Sequence, residues 1–391
     1  MYPVSVARDA DPVAALREAV EPLGGLATII APGEAVLIKP NCVISQYVPG
    51  TVTSAEIVAG VAKMAADAGG KPFIGENDLE FDPRAEGFLA SCARHYRDAL
   101  DRLGLTDVRL VNLSKDAQVP VELPAARAFK TTKVARSALE AGKIIDVPVM
   151  KTHDQTQITL GIKNLKGLLP VSERRRSHGL GVEQAIVDLC AFLKPALVVI
   201  DGTTAAEGMG PTGGTPFRMD VVIASTNALA ADMVGAAIMG FDLKDIRFIR
   251  CGIESHLGPK GLEEIAVLGL PIDAVRRPFV TAQSAVLEQY RQMGIEVVAH
   301  NACSGCWAEF RHIYYSLGEQ RGRLSGLRFV LGEVRDLGPG PKTIVVGCCA
   351  KAVAGSGRFV QGCPPHHSQI EAAACAEADI DPARIDTYMK P

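Results

Sequence analysis

Four cysteines towards the end of the chain have the spacing of metal ligands. Cys303 and Cys306 form a Cys-x-x-Cys pair, and Cys348 follows an apolar run. Cys363 stands in a Gly-Cys-Pro-Pro turn. Thiolates at Cys-x-x-Cys spacing reach one metal centre, and flanking glycines leave backbone amides free to donate hydrogen bonds to inorganic sulfide. The pattern predicts an iron–sulfur cluster of the [4Fe-4S] type on these four ligands, with Cys349 as the alternative to Cys348.

Two other uses of these thiols remain open. A structural Zn²⁺ held by four thiolates has the same ligand chemistry, but its second half is usually another tight pair, unlike Cys349 and Cys363. A redox-active Cys-x-x-Cys disulfide usually opens a helix, and Trp307 does begin a helical pattern, but this use leaves Cys348 and Cys363 unexplained. The remaining cysteines lie singly and suit burial as small apolar side chains: Cys42, Cys92, Cys190, Cys251 and Cys375.

A second group of polar residues follows predicted strands in the larger, N-terminal part of the chain. Ligands of open α/β sheets bind outside the carboxyl ends of the strands, which is where these residues gather. Histidine and lysine there can supply a general base, an electrophile or anion contacts, although a loop lysine is often merely solvated. We predict catalytic roles for His153, Lys163 and His178. The predicted substrate-binding residues are Lys39, Asn41, Lys151, Asn164, Lys166 and Asp201, and Glu76, Asn77 and Asp78 follow a neighbouring strand.

The elements that position these residues form a Rossmann-like α/β domain over residues 1–278 and a smaller, cysteine-rich α/β domain over residues 279–391. In the first, short β-rich runs alternate with helical patterns, as in strands joined by crossover helices in a parallel or mixed sheet. The predicted strands are 35–39, 71–75, 108–112, 143–149, 196–201 and 220–225, and the helices are 54–68, 182–193 and 227–239. In the second we predict helices over 282–293, 307–317 and from 368, and strands over 295–299, 327–331 and 343–346.

A glycine-rich stretch from Glu207 to Gly214 follows the fifth predicted strand. We predict a loop there whose backbone amides can cradle an anion. It lacks the Gly-Lys-Ser/Thr ending of a phosphate-binding loop, so it is not a nucleotide fingerprint.

Composition limits the class of protein. The 391 residues are 48% hydrophobic and 22% charged, as in a folded globular chain. A net charge of −3 gives no global attraction to nucleic acid. The N-terminus lacks the pattern of a signal peptide, and the least charged stretch, residues 221–241, keeps several polar groups and does not suit a membrane span. We therefore expect a cytoplasmic protein with reduced thiols. Its expected partner is a small anionic substrate or a redox protein. A homo-oligomer is possible.

Several motifs together resemble the family catalogued as domain of unknown function 362, over roughly residues 34 to 260. They are Ile38-Lys39-Pro40-Asn41, Lys151-Thr152-His153, Gly161 to Gly167, His178, Asp201-Gly202 and Glu207 to Pro211. Members of that family are often joined to iron–sulfur modules, so the resemblance implies such a module here. The turn at Cys363 is similar to the cluster-ligating turn in iron–sulfur subunits of respiratory and hydrogenase complexes.

Two more distant likenesses concern chemistry. His153, Lys163 and His178 are similar in spacing to residues of the nickel-pincer lactate racemases, in which a lysine contacts a tethered cofactor and a histidine pair transfers protons. The neighbouring histidine pair of those enzymes has no counterpart in this sequence. Residues 362–368, with Glu371, resemble a motif of the aconitase-like hydro-lyases, in which three cysteines hold a cluster and the open iron binds a substrate hydroxyl.

Three functions follow from these patterns. The preferred hypothesis is a redox protein whose cluster delivers electrons to a small substrate or partner bound in the crevice of the larger domain. The second is a non-redox hydro-lyase or isomerase that uses one open iron as a Lewis acid. The third is a zinc-stabilised interaction protein. The first two hypotheses describe different enzymes, an iron–sulfur oxidoreductase and a lyase, and the sequence does not choose between them.

Overall fold

The computed structural model describes residues 1–44, 46–77 and 92–381. Contacts divide the chain into two compact units. The larger unit contains Met1–Thr152 and Ile158–Phe279, and the smaller unit contains His153–Gln157 and the chain from Val280 onward. The sequence placed a domain boundary at residue 278, but it did not indicate that residues 153–157 belong with the C-terminal part.

The larger unit is built on a mostly parallel sheet of ten strands in the described residues. Its main path is β12-β1-β11-β10-β7-β2-β3-β4, and β8 joins β10 to β9. A separate hairpin pairs β5 with β6. The strands are β1 Tyr2–Arg8, β2 Ala35–Pro40, β3 Lys71–Glu76, β4 Arg109–Asn112, β5 Gln118–Glu122, β6 Thr131–Ala135, β7 Lys143–Val147, β8 Val149–His153, β9 Gln157–Thr159, β10 Leu197–Met209, β11 Gly213–Ser225 and β12 Ile265–Gly269.

Helices cover both faces of this sheet. Successive residues of a strand point to opposite faces, and in β2 Leu37 packs in one apolar core whereas Val36 and Ile38 pack in another. Ser54 caps one covering helix by accepting a hydrogen bond from the amide of Ile57 at 3.4 Å. The helices are α1 Pro12–Val20, α2 Ala55–Asp67, α3 Cys92–Arg102, α4 Arg136–Glu140, α5 Gly161–Asn164, α6 Val171–Gly179, α7 Val182–Leu193, α8 Ala228–Ile238, α9 Arg247–Glu254 and α10 Ile272–Val275.

The glycine-rich stretch is part of a long hairpin, not a loop that cradles an anion. Strands β10 and β11 pair antiparallel as far as Met209 and Gly213, and Gly208 faces Gly214 across the hairpin. Residues 207–209 and 213–214 of this stretch therefore pair as strands, and residues 210–212 form the turn between them.

The smaller unit has a four-stranded parallel sheet in the order β13-β14-β15-β16. Its strands are β13 Glu296–His300, β14 Leu327–Gly332, β15 Lys342–Val346 and β16 Arg358–Val360. Its helices are α11 Ala282–Gln292, α12 Ser304–Ser316 and α13 His367–Ala378, with 3₁₀ helices at Gly318–Leu324 and Cys348–Ser356. Aromatic rings form its core, because Phe310 packs 4.7 Å from Tyr290 and 4.9 Å from Phe329 between ring centroids.

The described residues contain no helix that combines the length and the apolar character needed to cross a bilayer.

Candidate functional site

The predicted cysteine ligands lie after three strands of the smaller unit. Strands β13 to β16 are parallel, so their carboxyl ends share one edge of the sheet. Cys303 and Cys306 follow β13, Cys348 and Cys349 open the 3₁₀ helix after β15, and Cys363 follows β16. The topology therefore brings three cysteine-bearing segments to one edge.

Close backbone contacts hold these segments together. The amide of Gly347 donates to the carbonyl of Val360 at 2.9 Å, and the amide of Cys348 donates to the carbonyl of Gly362 at 2.9 Å. A Cβ at Gly347 would lie 3.2 Å from Sγ of Cys306. Gly347 also has φ +87°, which disfavours any side chain, so this close approach requires glycine.

A hydrogen bond joins the two thiols of the Cys-x-x-Cys pair. The hydrogen bond from the thiol of Cys306 is the largest influence on Cys303, and it lowers the pKa of Cys303 to about 5, assisted by the amides of Cys306 and Gly305. The same hydrogen bond raises the pKa of Cys306 far above its usual range. The lowered pKa favours the thiolate form of Cys303, which is the form that binds metal.

Of the two adjacent cysteines after β15, Cys349 is the one that acts on the thiol of Cys306. After Cys303 and burial, the nearby thiols that raise the pKa of Cys306 are those of Cys349 and Cys363. Burial raises the pKa of Cys349, and Cys363 and Cys303 raise it further. Cys348 also raises the pKa of Cys349, by less than Cys363 and Cys303 do. Cys348, the ligand preferred from the sequence, is exposed, as are Cys303, Cys349 and Cys363, and its role as a ligand stays a prediction.

His153 ends β8 and belongs to the smaller unit. Its Nδ1 lies 2.8 Å from Oδ1 of Asp154, and Oδ2 of Asp154 lies 2.5 Å from Nη2 of Arg311. Burial acts to raise the pKa of Asp154, but His153 and Arg311 outweigh it and hold this pKa well below its usual range. The predicted catalytic histidine is therefore part of a largely buried polar network with Asp154 and Arg311. Arg311 was not singled out in the sequence, because its partner is distant along the chain.

The larger unit has its own polar site, centred on Lys39. This side chain is fully buried, and its Nζ lies 2.5 Å from Oε2 of Glu76 and donates to the carbonyl of Pro40 at 2.6 Å. Burial raises the pKa of Glu76, and Lys39 only partly offsets that effect. Asn77 donates to the carbonyl of Gly167, which packs against this pair. Asp78, predicted beside them, lies outside the described residues.

Asn164 links the strands at the same site. Its Nδ2 donates to Oδ1 of Asp146 at 2.8 Å, and its Oδ1 accepts from Nδ2 of Asn41 at 2.9 Å. Asp146 is fully buried, and burial raises its pKa well above the usual range despite the charge of Lys39. Two predicted ligand-binding amides, Asn41 and Asn164, are therefore brought together with Lys39.

Three of the predicted lysines influence one another. Burial and the charge of Lys163 lower the pKa of Lys151 to about 7, and Lys39 lowers it further. Nζ of Lys151 donates to the carbonyl of Thr51 at 2.6 Å. Lys151 is therefore partly neutral at pH 7. Its neutral form can accept a proton, and its charged form can bind an anion.

Lys166, His178 and Asp201, which were also predicted as site residues, make different contacts. Nζ of Lys166 lies 2.6 Å from Nε2 of His178, which joins a predicted binding residue to a predicted catalytic one. Asp201 accepts from the amide of Ser54 at 2.7 Å and from the hydroxyl of Thr203 at 2.6 Å. Its carboxylate therefore supports the start of α2, and this local role was not visible in the sequence.

Comparison with known proteins identifies the larger unit. The sequence profile described as "Domain of unknown function (DUF362)" matches residues 36–237. The chain belongs to this family. The thylakoid-associated protein sll1697 of Synechocystis sp. is 30% identical over 275 residues, which cover 67% of this chain and 81% of that protein. The lactate racemase apoprotein from Thermoanaerobacterium thermosaccharolyticum aligns with a TM-score of 0.36 and 11% identity, over 83% of this chain and 68% of that one.

The predicted family resemblance is thereby confirmed. The DUF362 match includes the polar site from Lys39 to Asp201, whereas the cysteine-bearing segments lie after its last residue. The chemistry of the thiols consequently has to be argued from their own geometry.

Proposed function

We propose that the protein binds a [4Fe-4S] cluster in its smaller unit and uses it to pass single electrons to a small anionic substrate or a redox partner protein. The convergence of three cysteine-bearing segments at one edge of a parallel sheet carries this proposal. The ligands are Cys303, Cys306, Cys349 and Cys363.

The residues present fit such a group. A bound cluster would supply reversible one-electron chemistry. The lowered pKa of Cys303 favours its thiolate, and the amides of Gly305 and Cys306 stabilise that charge. The contact of Gly347 with Sγ of Cys306 fixes the spacing between two of the ligand segments. These contacts hold the ligand segments in place before a cluster binds.

The larger unit supports binding of an anion. Lys163 and Lys39 act on Lys151 at the polar site, and a bound anion would draw Lys151 into its charged form. The raised pKa of Asp146 reduces the negative charge that would oppose an anion there. We also propose a cytoplasmic location, where thiols stay reduced, although the relative sll1697 is named as thylakoid-associated.

The test is metal content and spectroscopy of full-length protein purified without oxygen. We expect four iron and four sulfide per chain, as in one [4Fe-4S] unit, and an EPR signal that appears on reduction with dithionite and disappears on reoxidation. A full iron and sulfide content without any reducible signal would refute electron transfer. Zinc without iron would instead establish the zinc-stabilised interaction protein.

A substitution series separates electron transfer from Lewis-acid chemistry. If the cluster carries electrons, each of the four proposed ligands is needed to retain it when replaced by serine. If only three are needed, one iron is open and the hydro-lyase or isomerase hypothesis replaces the redox one.

A further inference from the structure

A second group of metal-binding side chains lies on α12 and at the start of α13. The ligand atoms of Glu309, His366 and His367 lie within 4.8 Å of one another. The ring of His367 lies 4.0 Å from that of His366 and 4.9 Å from that of His312, between centroids. His312 is one turn after Glu309 on α12. We call these four residues the His–Glu site.

Hydrogen bonds orient these side chains. Oε2 of Glu309 accepts from the backbone amide of His367 at 2.7 Å and lies 3.1 Å from Nδ1 of the same residue. Nδ1 of His366 lies 2.7 Å from Oγ of Ser368. The contact of His366 with Ser368 leaves its Nε2 for a metal, as is typical of metal-binding histidines. The contact between Glu309 and His367 places the two donor atoms next to each other, so one ion can bind both.

One ring nitrogen of the His–Glu site, in His312, has no hydrogen bond to any described residue. Within the described part of the chain, Nδ1 of His312 is buried and has no hydrogen-bond partner. Buried polar atoms are nearly always bonded, so an atom of this kind points to a missing ligand. Its ring lies next to that of His367.

We propose that the His–Glu site binds one divalent transition-metal ion of the Zn²⁺ class. Imidazole nitrogen and carboxylate oxygen are donors that such ions prefer. Glu309, His366 and His367 supply three donors, and the neighbouring His312 is the candidate for the fourth. A bound ion ties α12 to the start of α13. The site uses no thiol, so it is independent of the proposed cluster and goes beyond the proposed function.

The experiment uses Zn²⁺ as the probe on the full chain, purified without oxygen and with its cluster metals counted first. Dialysis against Zn²⁺ should add one equivalent of zinc per chain. X-ray absorption at the zinc edge should show nitrogen and oxygen ligands and no sulfur. Saturation should raise the melting temperature by about 5 °C or more. No zinc uptake, or sulfur bound to the zinc, would overturn the proposal.

Variants assign the zinc to these residues. Glu309→Gln and His367→Gln should each raise the Zn²⁺ dissociation constant at least about 100-fold. His366 caps α13, so His366→Asn is the suitable change, because asparagine keeps a capping acceptor. His300→Ala, at an exposed histidine of the same unit, should bind Zn²⁺ like the wild type. Wild-type affinity in Glu309→Gln, or equal loss in His300→Ala, would contradict the assignment.

Discussion

The substitution Gly167→Ala tests how tightly the polar site of the larger unit is packed. A Cβ at this position would lie 2.7 Å from Nζ of Lys39 and 2.8 Å from Oε1 of Glu76. These are ends of side chains, which usually move at little cost. Here they are buried and bonded to each other at 2.5 Å, and Lys39 is also bonded to the carbonyl of Pro40. The added methyl group must therefore displace an ion pair that has little room to move.

The expected cost can be bracketed. Adding a methyl group to a well-packed interior costs about 1–3 kcal/mol. Removing one partner of a buried ion pair costs about 3–5 kcal/mol, and a displaced pair that keeps both charges should lose less. We expect Gly167→Ala to lower the free energy of unfolding by about 2–3 kcal/mol.

Urea unfolding at equilibrium measures this difference. Gly179→Ala is the matched control, because Gly179 is exposed at the end of α6 and an added Cβ meets nothing within 4 Å. The control should change stability by less than about 1 kcal/mol, in the stabilising direction if at all. If Gly167→Ala stays within about 0.5 kcal/mol of the wild type, the described packing around Lys39 is wrong.

Further predictions concern buried groups. The pKa of Lys151 is about 7 in the native state, and its unfolded value is about 10.4. Between these pH values the unfolded state therefore binds more protons than the native state. The free energy of unfolding of the wild type should rise from pH 7 to pH 9 relative to that of Lys151→Met. The same pH dependence in both proteins, measured by urea unfolding, would contradict this. Asn164→Ala removes the amide that donates to Asp146 and should cost about 1–3 kcal/mol in the same assay; an unchanged midpoint would argue against that contact. Phe310→Ala removes the central ring of the smaller unit and should cost about 3–5 kcal/mol, seen as a lower melting transition; an unshifted transition would be inconsistent with that core.

The sequence predicted the α/β class and most strands of the parallel core. The strand predicted over 35–39 is β2, and the helix predicted over 182–193 is α7. Local patterns suffice there because the buried runs are continuous and bounded by turn residues. The run over 143–149 divides into β7 and β8 at Pro148, since proline cannot donate a ladder hydrogen bond.

Other features depend on contacts between residues that are distant along the chain. The hairpin of β10 and β11 extends through glycines that weaken local strand propensity, and only cross-strand pairing reveals it. Lys39 and Glu76 were each singled out, but their ion pair joins two different strands. Cys348 and Cys349 are adjacent in the chain, and their side chains point in different directions from a 3₁₀ helix. Sequence alone could not decide between these two thiols.

The most direct test of the proposed cluster compares Cys349→Ser with Cys348→Ser, a matched pair of adjacent substitutions. Iron and sulfide content and the EPR spectrum after reduction are measured on both full-length variants purified without oxygen. We predict that Cys348→Ser keeps the iron, the sulfide and the wild-type signal, whereas Cys349→Ser loses them. A wild-type cluster in Cys349→Ser, with loss in Cys348→Ser, would contradict the ligand set, and absence of iron from the wild-type protein would contradict the cluster itself.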